Sequence, residues 1–212
     1  MGALKFAFCV IFAPVSTFRV IKARRSASYA LPIFILAALL SVIRLITPYI
    51  THFPLQSGDL YELNPVWEVA LLVVPLLTWG VAGFAVSSIL SGECKLQESL
   101  MGTLSCAVPF IIFALPLSLI SHLFSSSSAA FYHALWAILA VWICILLFVC
   151  VVQINQFSFK KAVFVCVLTI LFCVLIWAVC LLVYVLANKF ITFAVSVYEE
   201  LRFVIWTGGA QS

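Results

Sequence analysis

The stretch SLMGTLSCAVPFIIFALPLSLISHLFSSSSAAFYHALWAILAVWICILLFVCVVQINQFSF, residues 99–159, contains no Asp, Glu, Lys or Arg over 61 positions. A domain surrounded by water does not tolerate such a run, because its surface needs charged groups. About 20 apolar residues, rising about 1.5 Å each in a helix, cross the hydrocarbon core of a bilayer. The run is too long for one crossing and suits two. His122 and the serines Ser125, Ser126, Ser127 and Ser128 interrupt it near the middle, where two antiparallel spans need a polar turn. The block reads as a helical hairpin in lipid.

Outward from this hairpin the composition stays the same. The 212 residues are 66% hydrophobic and 8% charged, with a mean hydropathy of +1.29, which describes an all-α polytopic transmembrane helical bundle rather than an aqueous catalytic domain. Apolar runs place five spans at about 29–49, 69–91, 101–123, 131–153 and 162–187. Pro109 and Pro116 fall inside the third span, where each removes a backbone donor and bends the helix. Residues 188–206 carry apolar and polar faces at helical spacing, an amphipathic C-terminal helix that either lies along the interface or continues the fifth span past the lipid, followed by a tail at 207–212. Residues 1–28 are expected to be retained and to lie at the membrane surface. Lys5 and the apolar run after it resemble a signal peptide only weakly, since Pro14 and several basic residues follow.

Charges then orient the chain. Lys5, Arg19, Lys22, Arg24 and Arg25 precede the first span, Lys95 follows the second, and Lys160 and Lys161 follow the fourth. The alternate loops between spans carry no Lys or Arg, and Lys189 and Arg202 beyond the fifth span are accompanied by Glu199 and Glu200. By the positive-inside rule the N-terminus is expected in the cytoplasm and the C-terminus outside. The basic residues Arg19, Lys22, Arg24 and Arg25 then face anionic lipid headgroups.

Few residues offer chemistry. Arg44 lies inside the first span, where a guanidinium is unfavourable unless it snorkels or finds a partner. Glu68 opens the second span at the same surface, with Asp59 and Glu62 between, so a structural ion pair with one of these carboxylates, Glu68 first, is expected, the other reading being a translocation or gating role for Arg44. The loop Gly92, Glu93, Lys95 and Glu98 is the other compact polar cluster. It reads as a solvated turn capped by Gly92 or as the contact point for a partner protein. The eight cysteines lie mostly in apolar runs, where they pack as small hydrophobes, and no His or carboxylate spacing completes a metal site. No nucleophilic triad, Gly-rich phosphate loop or basic nucleic-acid patch is present. No catalytic residue or cofactor is expected.

A family likeness adds to this. Pro14, Phe18, Ile21, Lys22, Arg25 and Ser26 come ahead of the first span, and Gly92, Glu93 and Lys95 follow the second. Ser105, Ala107, Val108, Pro109, Phe110 and Ile111 lie in the third, and Tyr198, Glu199 and Arg202 come near the end. In this order and spacing they resemble the bacterial branch of the Yip-domain family over nearly the whole chain. The resemblance implies a five-span bundle with a cytoplasmic N-terminus and no catalytic residues. Eukaryotic members bind Rab-type GTPases, partly through an Asp-Leu-Tyr-Gly-Pro motif ahead of the spans. That motif does not occur here, so Rab binding is not implied. Some bacterial members are associated with sugar-import ABC transporters, which implies an accessory or scaffold subunit that binds membrane proteins or shapes lipid in a bacterial cell membrane. The other function considered is a small permease, possibly linked to such a transporter, with a path at the kinked third span. Such a path would need polar groups at mid-membrane depth, and the candidates are Thr78, Ser87, Ser105, Ser118 and Thr169.

Overall fold

The computed structural model describes residues 3–23, 29–51, 64–124 and 128–208. Every regular element among them is helical: α1 (Ala3–Phe12), α2 (Pro14–Ala23), α3 (Ala30–Ile50), α4 (Pro65–Ile89), α5 (Leu96–Cys106), α6 (Val108–Ile120), a 3-10 turn (Ser121–Leu123), α7 (Ala129–Asn155) and α8 (Phe159–Gly208). Five helical stretches are long and apolar enough to cross a membrane, the third being α5 and α6 taken together. The chain divides into two units, Met1–Ile170 and Leu171–Ser212.

Local chemistry sets the helix ends. Asn64 caps α4 by accepting from Val66 N at 3.1 Å, with Pro65 in the first turn, where its missing N–H costs nothing. At the other end of α4, Ser91 takes a left-handed conformation (φ 59°). Gly92 N then donates back to Ser87 O at 2.7 Å, the six-to-one bond of a Schellman cap. The left-handed residue is therefore a serine, and Gly92 serves close approach instead. A Cβ there would lie 2.7 Å from Asn155 Oδ1 and 2.9 Å from Ser87 O. The last turn of α7 repeats the device, with Gln156 at φ 55° and Phe157 N donating to Val152 O.

The third span is the centre of the first unit. Residues 101–110 are all buried, and 56% of this span's most apolar window is buried, against 17–28% for α3, α4 and α7. One core cluster joins Phe18, Ile21, Met101, Cys106, Leu146, Cys150 and Ile154, and another joins Leu40, Ile43, Ala107, Phe110, Ala114 and Leu139. In lipid, apolar burial drives helix association weakly, so close packing through small residues carries more of it. Gly102 supplies that closeness on α5, where a Cβ would collide with Ile154 and with Cys150 Sγ. Gly80 does so on α4, next to Leu100, and Ser99 Oγ donates to Gly80 O at 2.8 Å to tie α4 to α5. From α8, Ala162, Val165 and Thr169 are fully buried in this unit, one inward stripe at helical spacing.

The span breaks at Ala107, between α5 and α6. Pro109 follows two residues later and cannot donate to Ser105 O, so the helical ladder is interrupted here. Pro116 lies inside α6 without ending it, as Pro48 and Pro75 lie inside α3 and α4.

The segment before the first span departs from the expected surface-lying helix. It forms two helices, and Val10, Phe18 and Ile21 are buried in the protein core. Tyr29 Oη donates to Ile21 O at 2.6 Å, fastening α2 to the start of α3. Phe18 and Ile21 form an apolar face, as their spacing indicated, but that face packs on protein rather than lying in lipid.

In the second unit, the side chains of Leu171, Val174, Leu175, Val179, Leu182, Leu186, Phe190 and Phe193 are exposed. A helix apolar on all sides suits lipid.

Candidate functional site

Charged and polar groups of the first unit gather at its two ends. At one end, Lys22 of α2 reaches over the end of α7 and the loop after α4. Its Nζ donates to Glu93 O at 2.8 Å and to Ile154 O at 2.9 Å, and lies 3.7 Å from Glu93 Oε2. A cation placed on the last carbonyls of a helix satisfies acceptors that have no intrahelical donor and complements the helix dipole. The Lys22 side chain is only 12% exposed. Lys22 is thus a clamp between three elements, with most of its side chain covered by protein. Arg19, one turn earlier, is exposed, and its Nε donates to Gln153 Oε1 at 3.1 Å. Arg24 and Arg25, expected at the same surface, lie outside the described residues.

The loop read as a possible partner contact is also divided. Glu93 and Lys95 are exposed, but Glu98 is 1% exposed and so cannot be touched by a partner. Its Oε2 accepts from Lys95 N at 3.0 Å, satisfying a donor at the start of α5 that has no intrahelical acceptor. Its Oε1 has no hydrogen-bond partner. Beside it, burial and then the Glu98 charge push the Cys94 thiol up to about 11. Inside this end, Asn155 Nδ2 donates to Val151 O at 3.2 Å while Oδ1 is unpartnered. A cavity of about 10 Å³ lies among Ser87, Ser99, Thr103 and Asn155, room for one water molecule. Gln153 and Asn155 were missed in the sequence. The signal was there, since both are amides closing an apolar span.

At the opposite end, Arg44 Nη2 lies 2.6 Å from Glu68 Oε2, with the side chains 30% and 17% exposed. The contact lacks hydrogen-bond geometry at Oε2, so charge attraction holds it. Asp59 and Glu62, the other carboxylates between these spans, lie outside the described residues, as do His52 and Ser125 to Ser127. A ring nitrogen of His122 is 2.8 Å from Ile50 O, which links the end of α3 to the turn after α6. His133 stands against Tyr132, ring centroids 5.8 Å apart. Among the described residues no group of three His, Cys, Asp or Glu is placed to hold a metal ion.

Between the ends, the hydroxyls weighed as path-lining groups turn inward on their own helices. Thr78 donates to Val74 O, Ser105 to Met101 O, Ser118 to Ala114 O and Thr169 to Val165 O, at 2.7–2.9 Å. Ser87 instead lines the small cavity.

A chain with five such apolar helices is a multipass integral membrane protein. The Yip1 domain matches residues 8–182, and the chain belongs to that family. No curated protein and no solved structure matches it.

Proposed function

We propose that this Yip1 domain protein is a non-enzymatic accessory or scaffold subunit of a bacterial cell membrane, binding other membrane proteins or shaping the lipid around it. The observation that carries the reading is the treatment of polar groups at depth: Thr78, Ser105, Ser118 and Thr169 each bond within their own helix. Such hydroxyls have their one donor spent on the backbone and keep only acceptor capacity, whereas a transport path needs polar groups turned toward it. The permease reading draws support from the break at Ala107. The cavity of about 10 Å³ near that span is too small for a solute. The end bearing Lys22, Glu93 and Lys95 is assigned to the cytoplasm, following the positive-inside rule. The full chain, affinity-purified in a mild detergent, should bring down a stoichiometric membrane-protein partner. A protein recovered alone that moves solute into liposomes would overturn the proposal in favour of the permease.

A further inference from the structure

A cleft of about 550 Å³ opens between α2 and the end of α7, lined by Arg19, Lys22, Ala23, Val152, Gln153 and Phe157 among others. Its size lies in the range of small-molecule sites. Arg19 is the exposed cation in its wall, and the bond from Nε to Gln153 Oε1 fixes the guanidinium plane, leaving the terminal N–H groups for a ligand. Lys161 is outside the lining and sits on the ring of Phe157, its Nζ 4.3 Å from the ring centre. Lys22 supplies a second positive charge, although its donors are engaged and Glu93 Oε2 stands 3.7 Å away.

A helix C-terminus ordinarily repels anions. Here the repulsion is reduced, because Ile154 O is covered by Lys22 and Val152 O accepts from Gln156 N and Phe157 N. A planar guanidinium fork beside an ammonium matches the oxygens of a phosphate group. Val152, Ala23 and Phe157 give the same cleft an apolar wall.

We infer that this cleft binds a phosphate group, carried by an anionic phospholipid or by a soluble phosphate ester, with Arg19 as the ligating cation, Lys22 adding charge beside it and Gln153 as the positioning residue. The inference deepens the lipid side of the proposed function and rests on that reading for the lipid source alone.

The test uses the full chain in a neutral detergent, titrated with phosphatidylglycerol, with phosphatidylcholine and with inorganic phosphate, and read by native mass spectrometry. Phosphatidylglycerol is expected to bind about tenfold more tightly than phosphatidylcholine. Arg19→Gln should weaken it about five- to tenfold, the effect of losing one charge-assisted contact. Lys189→Gln, an equal loss of charge in the second unit, should leave it unchanged. Displacement of the lipid by millimolar inorganic phosphate assigns the site to a soluble phosphate ester, and failure to displace assigns it to the headgroup. Equal affinities in the native chain and the Arg19→Gln variant, or an equal loss in Lys189→Gln, would overturn the site. Such a result leaves partner capture by the native chain unaffected, so the two proposals fail separately.

Discussion

Gly102→Ala is the sharpest probe of how the bundle closes. The new Cβ would sit 2.6 Å from Cys150 Sγ and closer still to Ile154 Cδ1, and neither neighbour has room to retreat, being 5% and 1% exposed. Overpacking of this kind costs about 1–3 kcal/mol. Ile154→Val deletes the offending Cδ1 and leaves Cγ1 at an ordinary 3.8 Å from the added methyl group. On its own, that change should cost about 0.5–1.5 kcal/mol, toward the lower end because the methylene it removes would otherwise meet lipid or detergent rather than water. Adding Cys150→Ala removes the second collision. The three changes together should therefore destabilise less than their sum by at least about 1 kcal/mol. The assay is equilibrium unfolding in mixed micelles of mild detergent and dodecyl sulfate, followed by tryptophan fluorescence and helical circular dichroism. Effects that add to within about 0.5 kcal/mol, the agreement typical of independent sites, would refute the tight α5 to α7 contact.

Other substitutions address the two ends. Arg44→Glu or Glu68→Arg alone should lower stability by about 1–3 kcal/mol, less than the loss for a fully buried pair because Arg44 is 30% exposed. The double swap should restore the folded yield in detergent, and a swap no better than either single change would remove Glu68 as the partner. Lys22→Met keeps the stem and strands the carbonyls of Glu93 and Ile154, a loss of about 2–3 kcal/mol. It should appear as faster hydrogen exchange and proteolysis in residues 14–23, and unchanged protection there would show that the clamp contributes nothing. Because its thiol is pushed up to about 11, Cys94 should alkylate slowly at pH 8 and faster as pH rises toward 11, read by peptide mass spectrometry. The thiol is raised in the folded chain, so the folded state holds more protons than the unfolded one between about pH 9 and 11, and stability falls across that window. Labelling at pH 8 as fast as in the denatured chain would contradict this.

The spans were legible because lipid imposes one strong rule, the exclusion of charge over about 20 residues. That rule found the hairpin in residues 99–159 without help from any motif. The Arg44 and Glu68 contact was legible for a related reason, since an ion within a span has few partners within reach. The break between α5 and α6 was partly visible. Two prolines pointed to bending, but only surrounding packing determines that the ladder breaks near Pro109 and not near Pro116. Residues 1–28 were harder, because an apolar stripe with basic neighbours looks the same whether it meets lipid or protein. Phe18 and Ile21 meet protein only because Met101, Leu146 and Ile154, remote in sequence, present a matching surface. Glu98 misled for a similar reason. A carboxylate in a short charged loop reads as solvated, and only its use at the start of α5 takes it inside.

The contact between Arg44 and Glu68 has a consequence for how the chain enters a membrane. Arg44 stands six residues before the end of α3, about 9 Å of helix, so α3 alone would partition with an uncompensated cation whose insertion cost is up to about 2.5–3.5 kcal/mol. The compensating carboxylate belongs to the first turn of α4. α3 is consequently expected to insert less readily alone than together with α4, the two entering most favourably as one hairpin.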